Sequence, residues 1–172
     1  SVAATLTKGN LEIKDFNPDA IRTELGLLRK AGARIKIDSN KIKVIGPKKI
    51  KPIKNIKTEE WPGVATDMQS QLMVLMCKAD GKSSITENIF ENRFLHVGEL
   101  QRLGANIQIK KNKAFIDGNT KFIGAELMSS DLRASVALVL AAMISNGKSS
   151  INRIYHLDLS LIHISEPTRL AT

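Results

Sequence analysis

Apolar residues gather along this chain in two alternating kinds of run. One kind is apolar nearly all the way round: Leu72, Met73, Val74, Leu75, Met76, Cys77 and Ala79 form one such run, and residues 134–144 form another. A helix of that character has to be enclosed on most sides. The other kind has a single apolar face, carried by Ile21, Leu25 and Leu28 and again by Leu95, Leu100 and Leu103. Each run ends in a glycine, and strand-like sequence follows. After the enclosed kind come Gly9-Asn10-Leu11-Glu12-Ile13, Gly81-Lys82-Ser83-Ser84-Ile85 and Gly147-Lys148-Ser149-Ser150-Ile151. After the amphipathic kind come Gly32-Ala33-Arg34-Ile35-Lys36-Ile37 and Gly104-Ala105-Asn106-Ile107-Gln108-Ile109. Glycine just beyond a helix supplies the left-handed residue that ends it, so these positions mark helix ends.

The chain is therefore a repeat, with a period near 65 to 72 residues. Within one period the pattern predicts a strand at 84–86, a helix at about 93–103, strands at 106–110 and 113–117, and a buried helix at 130–145. Lys111-Asn112 reads as a tight hairpin turn, as does Ser39-Asn40 in the earlier copy. Asn17 followed by Pro18 opens the earlier amphipathic helix with a cap and a first-turn proline. A layer of enclosed helices under sheets, α+β in class and built from repeats, is the expected fold.

Bulk properties narrow this picture only modestly. At 172 residues, with 42% apolar and 25% charged residues, the chain is one large domain or two small ones. The longest apolar run, 136–144, is nine residues, whereas a membrane span needs about 20. No basic start leads into an apolar stretch, so no signal peptide is expected. The single cysteine, Cys77, has no partner for an internal disulfide, which fits a reducing cytoplasm. The net charge of +9 suits an anionic partner. It suits a solvated lysine-rich surface better, since seven lysines fall between 41 and 57, where the pattern looks like an edge strand and its loop. Only seven aromatics occur, too few for the stacking platforms of single-strand binders, so no nucleic-acid partner is expected.

The two ends stand apart. The run Leu159-Ser160-Leu161-Ile162-His163-Ile164-Ser165-Glu166-Pro167-Thr168-Arg169 resembles a translated sequencing adapter, so residues 159–172 are expected to be foreign to the fold. Ser1-Val2-Ala3-Ala4 starts inside an apolar helical pattern without a cap, as expected of a piece of a longer protein.

Candidate chemistry concentrates at the two enclosed helices. Both Gly-Lys-Ser sequences end a helix and lack the earlier glycine of a phosphate loop, with Met76 and Ala142 in its place, so neither is one. His96 and His156 have no partner at metal-ligand spacing, and no metal or cofactor is expected. Cys77, among methionines and leucines, reads as core. Thr66-Asp67-Met68-Gln69 fits a capping box. Asp67 and Asp131 fall in the first turns of the two helices, each after a hydroxyl residue. Capping alone would explain that placement. Arg133 and Arg93 change the balance, because helix starts with arginines make an anion site and a carboxylate beside it can act as a base.

Four separated stretches resemble the enolpyruvyl transferase family, and within it the branch acting on UDP-N-acetylglucosamine. They are Thr66-Asp67-Met68-Gln69, the run from Ile85 through Thr86-Glu87-Asn88-Ile89-Phe90-Glu91-Asn92-Arg93 to Phe94, Asp131-Leu132-Arg133-Ala134-Ser135, and Arg153-Ile154-Tyr155-His156. The resemblance covers 1–158 and implies part of the C-terminal domain, an inside-out α/β barrel of βαβαββ repeats about a pseudo-threefold axis. It implies transfer of enolpyruvyl from phosphoenolpyruvate to a sugar 3′-hydroxyl, a cytoplasmic step in peptidoglycan synthesis. Carried over by motif, Asp67 is the base on that hydroxyl and a contact to the nucleotide sugar, and Ile89 lines the nucleotide-sugar pocket. Arg93 contacts the phosphoenolpyruvate side with Arg133 its neighbour, and Asp131 assists proton transfer or collapse of the intermediate. The family's reactive cysteine belongs to the N-terminal domain, the implied partner, and Cys77 is not that residue. Val64-Ala65 stand where the family often has Phe-Pro, and Gly98 where it often has Pro. The sister transferase acting on shikimate 3-phosphate is disfavoured by the 87–94 run. A basic nucleic-acid-binding repeat rests on charge alone.

Overall fold

The same succession of elements occurs twice and begins a third time in the computed structural model, which describes residues 1–155. First come α1 (Val2–Leu6), β1 (Asn10–Ile13), α2 (Arg22–Lys30), β2 (Arg34–Asp38), β3 (Lys41–Ile45) and β4 (Ile56–Lys57). The order returns as α3 (Gln69–Cys77), β5 (Lys82–Thr86), α4 (Val97–Arg102), β6 (Asn106–Lys110), β7 (Lys113–Asp117) and β8 (Glu126–Met128). It opens again with α5 (Leu132–Met143) and β9 (Ser150–Asn152). The expected adapter-like tail, 159–172, and His156 lie outside the described residues. No helix among those described is long and apolar enough to cross a membrane.

The run β4-α3-β5-α4-β6-β7 is one βαβαββ unit and makes one mixed sheet, in the order β4-β5-β7-β6. Strand β4 pairs parallel to β5, across α3, while β5, β7 and β6 pair antiparallel. Asn106 faces Asp117 and Lys110 faces Lys113, so Lys111-Asn112 is the hairpin turn that the alternation predicts. The preceding sheet, β1-β3-β2, has the same antiparallel core, and β8 pairs parallel to β9.

Helix α3 lies between the β4-β5-β7-β6 sheet and the helices α1 and α5. Leu72 to Cys77 have no solvent exposure, and the helix packs on α1, α5, β5 and β7. Full burial stabilises each such side chain by about 1.5–3 kcal/mol, which explains why this helix has no polar face. Asn17 accepts from the Asp19 amide to cap a 3₁₀ turn, Pro18–Ile21, ahead of α2. Gly81 has a φ of 140°, but it lies four residues past Cys77, the last residue of α3, so it does not itself end the helix. Gly118, where β7 runs onto that helix end, has room for no side chain: a Cβ would lie 2.0 Å from the Ala79 carbonyl oxygen.

Five further expectations about the fold need correction. Gly9 does not take the left-handed conformation; Lys8 does, with φ of 58°. The lysine-rich 41–57 stretch is not one edge strand and its loop, because β3 is central between β1 and β2, and only β4 lies at an edge. The helix expected at 93–103 contracts to α4, since 91–96 is taken up in turns. Leu95, assigned to its apolar face, is 68% exposed. Finally α5, expected to be enclosed, is covered on one side only: Leu132 and Met143 are exposed and Val136 and Val139 half-buried among the described residues.

Candidate active site

The chain reaches α3 through a single 3₁₀ turn, Thr66–Met68, and neither segment has a side-chain cap. The capping box expected from Thr66 and Gln69 is therefore not formed. Its hydroxyl goes elsewhere: Thr66 Oγ1 donates to Glu87 Oε2 at 3.0 Å. A carboxylate is the stronger acceptor, and it is buried and in need of donors. Gln69 Nε2 is buried with no hydrogen-bond partner among the described residues. The Ala65 amide donates to Glu24 Oε1 at 3.1 Å, which pins the turn to α2. Asp67, freed from capping, leaves its side chain 63% exposed and ion-pairs with Arg133 Nε.

The start of α5 is built differently. Asp131 is extended, and its Oδ1 accepts from the amides of Arg133 at 2.8 Å and Ala134 at 3.1 Å, a true helix cap. Partial burial pushes its carboxyl up. Those two amides, the Ser130 hydroxyl and the Arg133 charge outweigh this and hold it below its ordinary value. Arg133 leaves the first turn of α5 toward Asp67, 66 residues earlier in the chain. Ser70 Oγ donates to the Arg133 carbonyl at 3.1 Å, joining the two helix starts. His96 is buried nearby, with Nε2 unpartnered among the described residues. Burial lowers its pKa to about 4, against the opposing pull of Asp131. Cys77 is core, its thiol pushed up to about 12 by burial.

The third part is the loop from Glu87 to Leu95. Glu87 is 2% exposed, and its Oε1 accepts from Thr58 Oγ1 at 2.8 Å and from the amides of Ile89 at 2.9 Å and Phe90 at 3.2 Å. Arg93 lies over the Phe90 ring, 4.4 Å from its centroid. A cleft of about 760 Å³ opens along this loop, lined by Ile89, Arg93, Ile109, Lys111 and Asn112 among others. A smaller cleft of about 260 Å³ lies between the two helix starts, lined by Thr66, Gln69, Arg93, His96, Asp131 and Arg133.

Of the five residues singled out in the sequence, Arg93, Asp131 and Arg133 line the smaller cleft, and Asp67 reaches it through Arg133. Ile89 lines the larger one, and Arg93 borders both. Two guanidinium groups between a capped and an uncapped helix start suit an anion, with a carboxylate at hand to take a proton. Sequence reasoning passed over Glu87 as an anchor, and His96 and Gln69 as cleft residues. The letters alone held one signal for Glu87, a glutamate directly after a strand ending in Ile85 and Thr86.

A family model for EPSP synthase (3-phosphoshikimate 1-carboxyvinyltransferase) matches residues 1–167. The UDP-N-acetylglucosamine 1-carboxyvinyltransferase of Pelagibacter ubique is 57% identical over 157 residues, 91% of this chain and 37% of that protein. The protein of the same name from Desulfosudis oleivorans is 48% identical over 165 residues, 96% of this chain and 39% of its own length. The chain thus spans under half the length of the curated relatives it matches. Among solved structures, the enolpyruvyl transferase NikO from Streptomyces tendae superposes with a TM-score of 0.82 at 27% identity, over 92% of this chain and 39% of that one. An EPSP synthase from Acinetobacter baumannii, at 19% identity and a TM-score of 0.74 over 92% of this chain and 41% of that one, shares the fold.

Proposed function

The chain belongs to the EPSP synthase family, and from that premise we propose that it is part of a transferase moving enolpyruvyl from phosphoenolpyruvate to the 3′-hydroxyl of UDP-N-acetylglucosamine. The observation that carries this reading is the ion pair of Asp67 with Arg133, which joins two of the four motif stretches at adjoining helix starts. The names of relatives at 57% and 48% identity support the sugar nucleotide over shikimate 3-phosphate.

Asp67 takes the 3′-hydroxyl proton as the oxygen bonds to C2 of phosphoenolpyruvate, and the C2=C3 electron pair takes up a proton at C3 from a general acid of the completed cleft. C3 then loses a proton, the C2–O bond to phosphorus-bound oxygen breaks, and phosphate departs. Asp131, held ionised by its cap, assists that proton transfer or the collapse. Ile89 lines the sugar-nucleotide cleft, and Arg93 and Arg133 meet the anionic groups of the substrates. The repeats belong to an inside-out barrel whose third unit begins at β8, α5 and β9. The other half of the cleft comes from an N-terminal domain that carries the reactive cysteine. We place the protein in the cytoplasm, in peptidoglycan synthesis.

The test is a graft of residues 1–158 into the Pelagibacter ubique relative in place of its matching segment. Phosphate release with UDP-N-acetylglucosamine should stay within about tenfold of the parent, roughly 1.4 kcal/mol of barrier. Shikimate 3-phosphate should give none. A graft that folds and is inert, or prefers shikimate 3-phosphate, overturns the assignment. The chain by itself should release no phosphate.

A further inference from the structure

Glu87 is buried, yet no cation among the described residues pairs with its carboxylate. All of its donors are neutral: the hydroxyls of Thr58 and Thr66 and the amides of Ile89 and Phe90. An apolar plug would fill the same space without the cost of burying a charge. What the carboxylate adds is convergence. Thr58 follows β4 and also accepts from the Asn88 amide at 2.9 Å, and Thr66 begins the turn into α3. The hairpin turn of β6 and β7 joins in through Asn112, which exchanges bonds with the Glu87 backbone at 2.8 and 3.1 Å.

The two carboxylate oxygens divide these partners. Oε1 gathers the loop and Thr58, while Oε2 takes, among the described residues, only Thr66, the residue before Asp67. We propose that Glu87 is a positioning residue whose buried carboxylate holds the Asp67 turn at a set distance from the Ile89–Arg93 loop. It acts through Asp67, its carboxylate oxygens being taken up by these protein donors. The proposal rests on the reading of Asp67 as the base.

Removing the Thr66 tether separates the two halves of this bond set, since Oε1 keeps its three donors and the loop its shape. In the grafted enzyme, Thr66→Val should lower kcat by about ten- to a hundredfold, the scale of a small misplacement. KM for UDP-N-acetylglucosamine should move by less than about threefold. Thr66→Ser, which restores the hydroxyl, should regain most of the loss. In an Asp67→Asn background Thr66→Val should cost nothing further, because the group it positions is already disabled. Thr66→Ala serves the same cycle should valine prevent folding. Unchanged kcat in Thr66→Val overturns the proposal, as does an equal loss in both backgrounds or a loss confined to KM. An Asp67→Asn graft with full activity refutes the base assignment and this proposal with it, and that result is read in a separate arm from the Thr66 series.

Discussion

Asp67 and Asp131 hold the same place in successive repeats, 64 residues apart (131 − 67), each behind a hydroxyl residue at the start of an apolar helix. The fold puts them to different uses. Asp131 turns its carboxylate back onto the amides of Arg133 and Ala134 and ends up as a cap. Asp67 caps nothing: it sits within the 3₁₀ turn before α3, and its carboxylate pairs with Arg133. A capping carboxylate has an oxygen committed to backbone amides, whereas an uncapped one keeps its lone pairs for other work. Repetition supplied two equivalently placed carboxylates, and the fold gives them different partners.

The largest effect expected is on turnover. In the graft, Asp67→Asn keeps shape and hydrogen bonding but removes proton acceptance, and kcat should fall about 10²- to 10⁴-fold. Its melting temperature should barely move. Asp131→Asn preserves the cap, since asparagine caps as well as aspartate, and its loss of kcat should be the smaller of the two. If Asp131→Asn loses as much or more, the division of roles is broken. Steady-state kinetics on both variants decide it.

Acid should strike at the second helix start. His96 goes from 6.5 when unfolded to about 4 when folded, so the unfolded chain binds its proton first and stability drains as pH falls through that interval. The loss by pH 4 is about 3 kcal/mol for a shift of this size. Asp131, also held low, adds stability above its unfolded value that disappears in stronger acid, as pH falls through its folded value. Urea unfolding of the 172-residue chain at several pH values should show this slope, and His96→Leu should flatten it between pH 6.5 and 4. An unchanged slope would mean that His96 is not the group responsible.

Much of this was legible because local rules and tertiary structure agree. The β6–β7 hairpin matches its expected bounds at both ends, since alternation and a two-residue turn determine the register together. Gly32 and Gly104 have positive φ directly after the caps of α2 and α4, whereas Gly81 and Gly147 have positive φ four residues past α3 and α5. Where tertiary partners compete, the letters mislead. Thr66 and Gln69 spell a capping box, but Glu87 takes the hydroxyl from 21 residues away. Leu95 reads as core and instead lies exposed beside a cleft, where an apolar side chain meets a ligand or partner as readily as a neighbouring helix. The five candidate residues came from family resemblance, and the meeting of Asp67 with Arg133 across two helix starts was not legible, because it depends on α3 packing against α5.

The smallest effect expected concerns stability, and it separates the two aspartates without any substrate. Asp131→Ala removes a cap that satisfies two helix amides and should cost about 1 kcal/mol, within the usual 0.5–2 for such a change. Asp67→Ala removes an ion pair whose side chains are 63% and 39% exposed. Pairs that open to water are worth roughly 0.2–1 kcal/mol before screening, so the loss should be the lesser. Salt sharpens the contrast. At about 1 M the screening length shrinks to roughly 3 Å, and the Asp67 penalty should fade. The Asp131 penalty should largely persist, because short, part-buried bonds to backbone amides are poorly screened. Urea titrations of both variants at low and high salt are the measurement. Equal, salt-insensitive losses would make Asp67 a structural residue like its counterpart, and leave the first helix start no more suited to chemistry than the second.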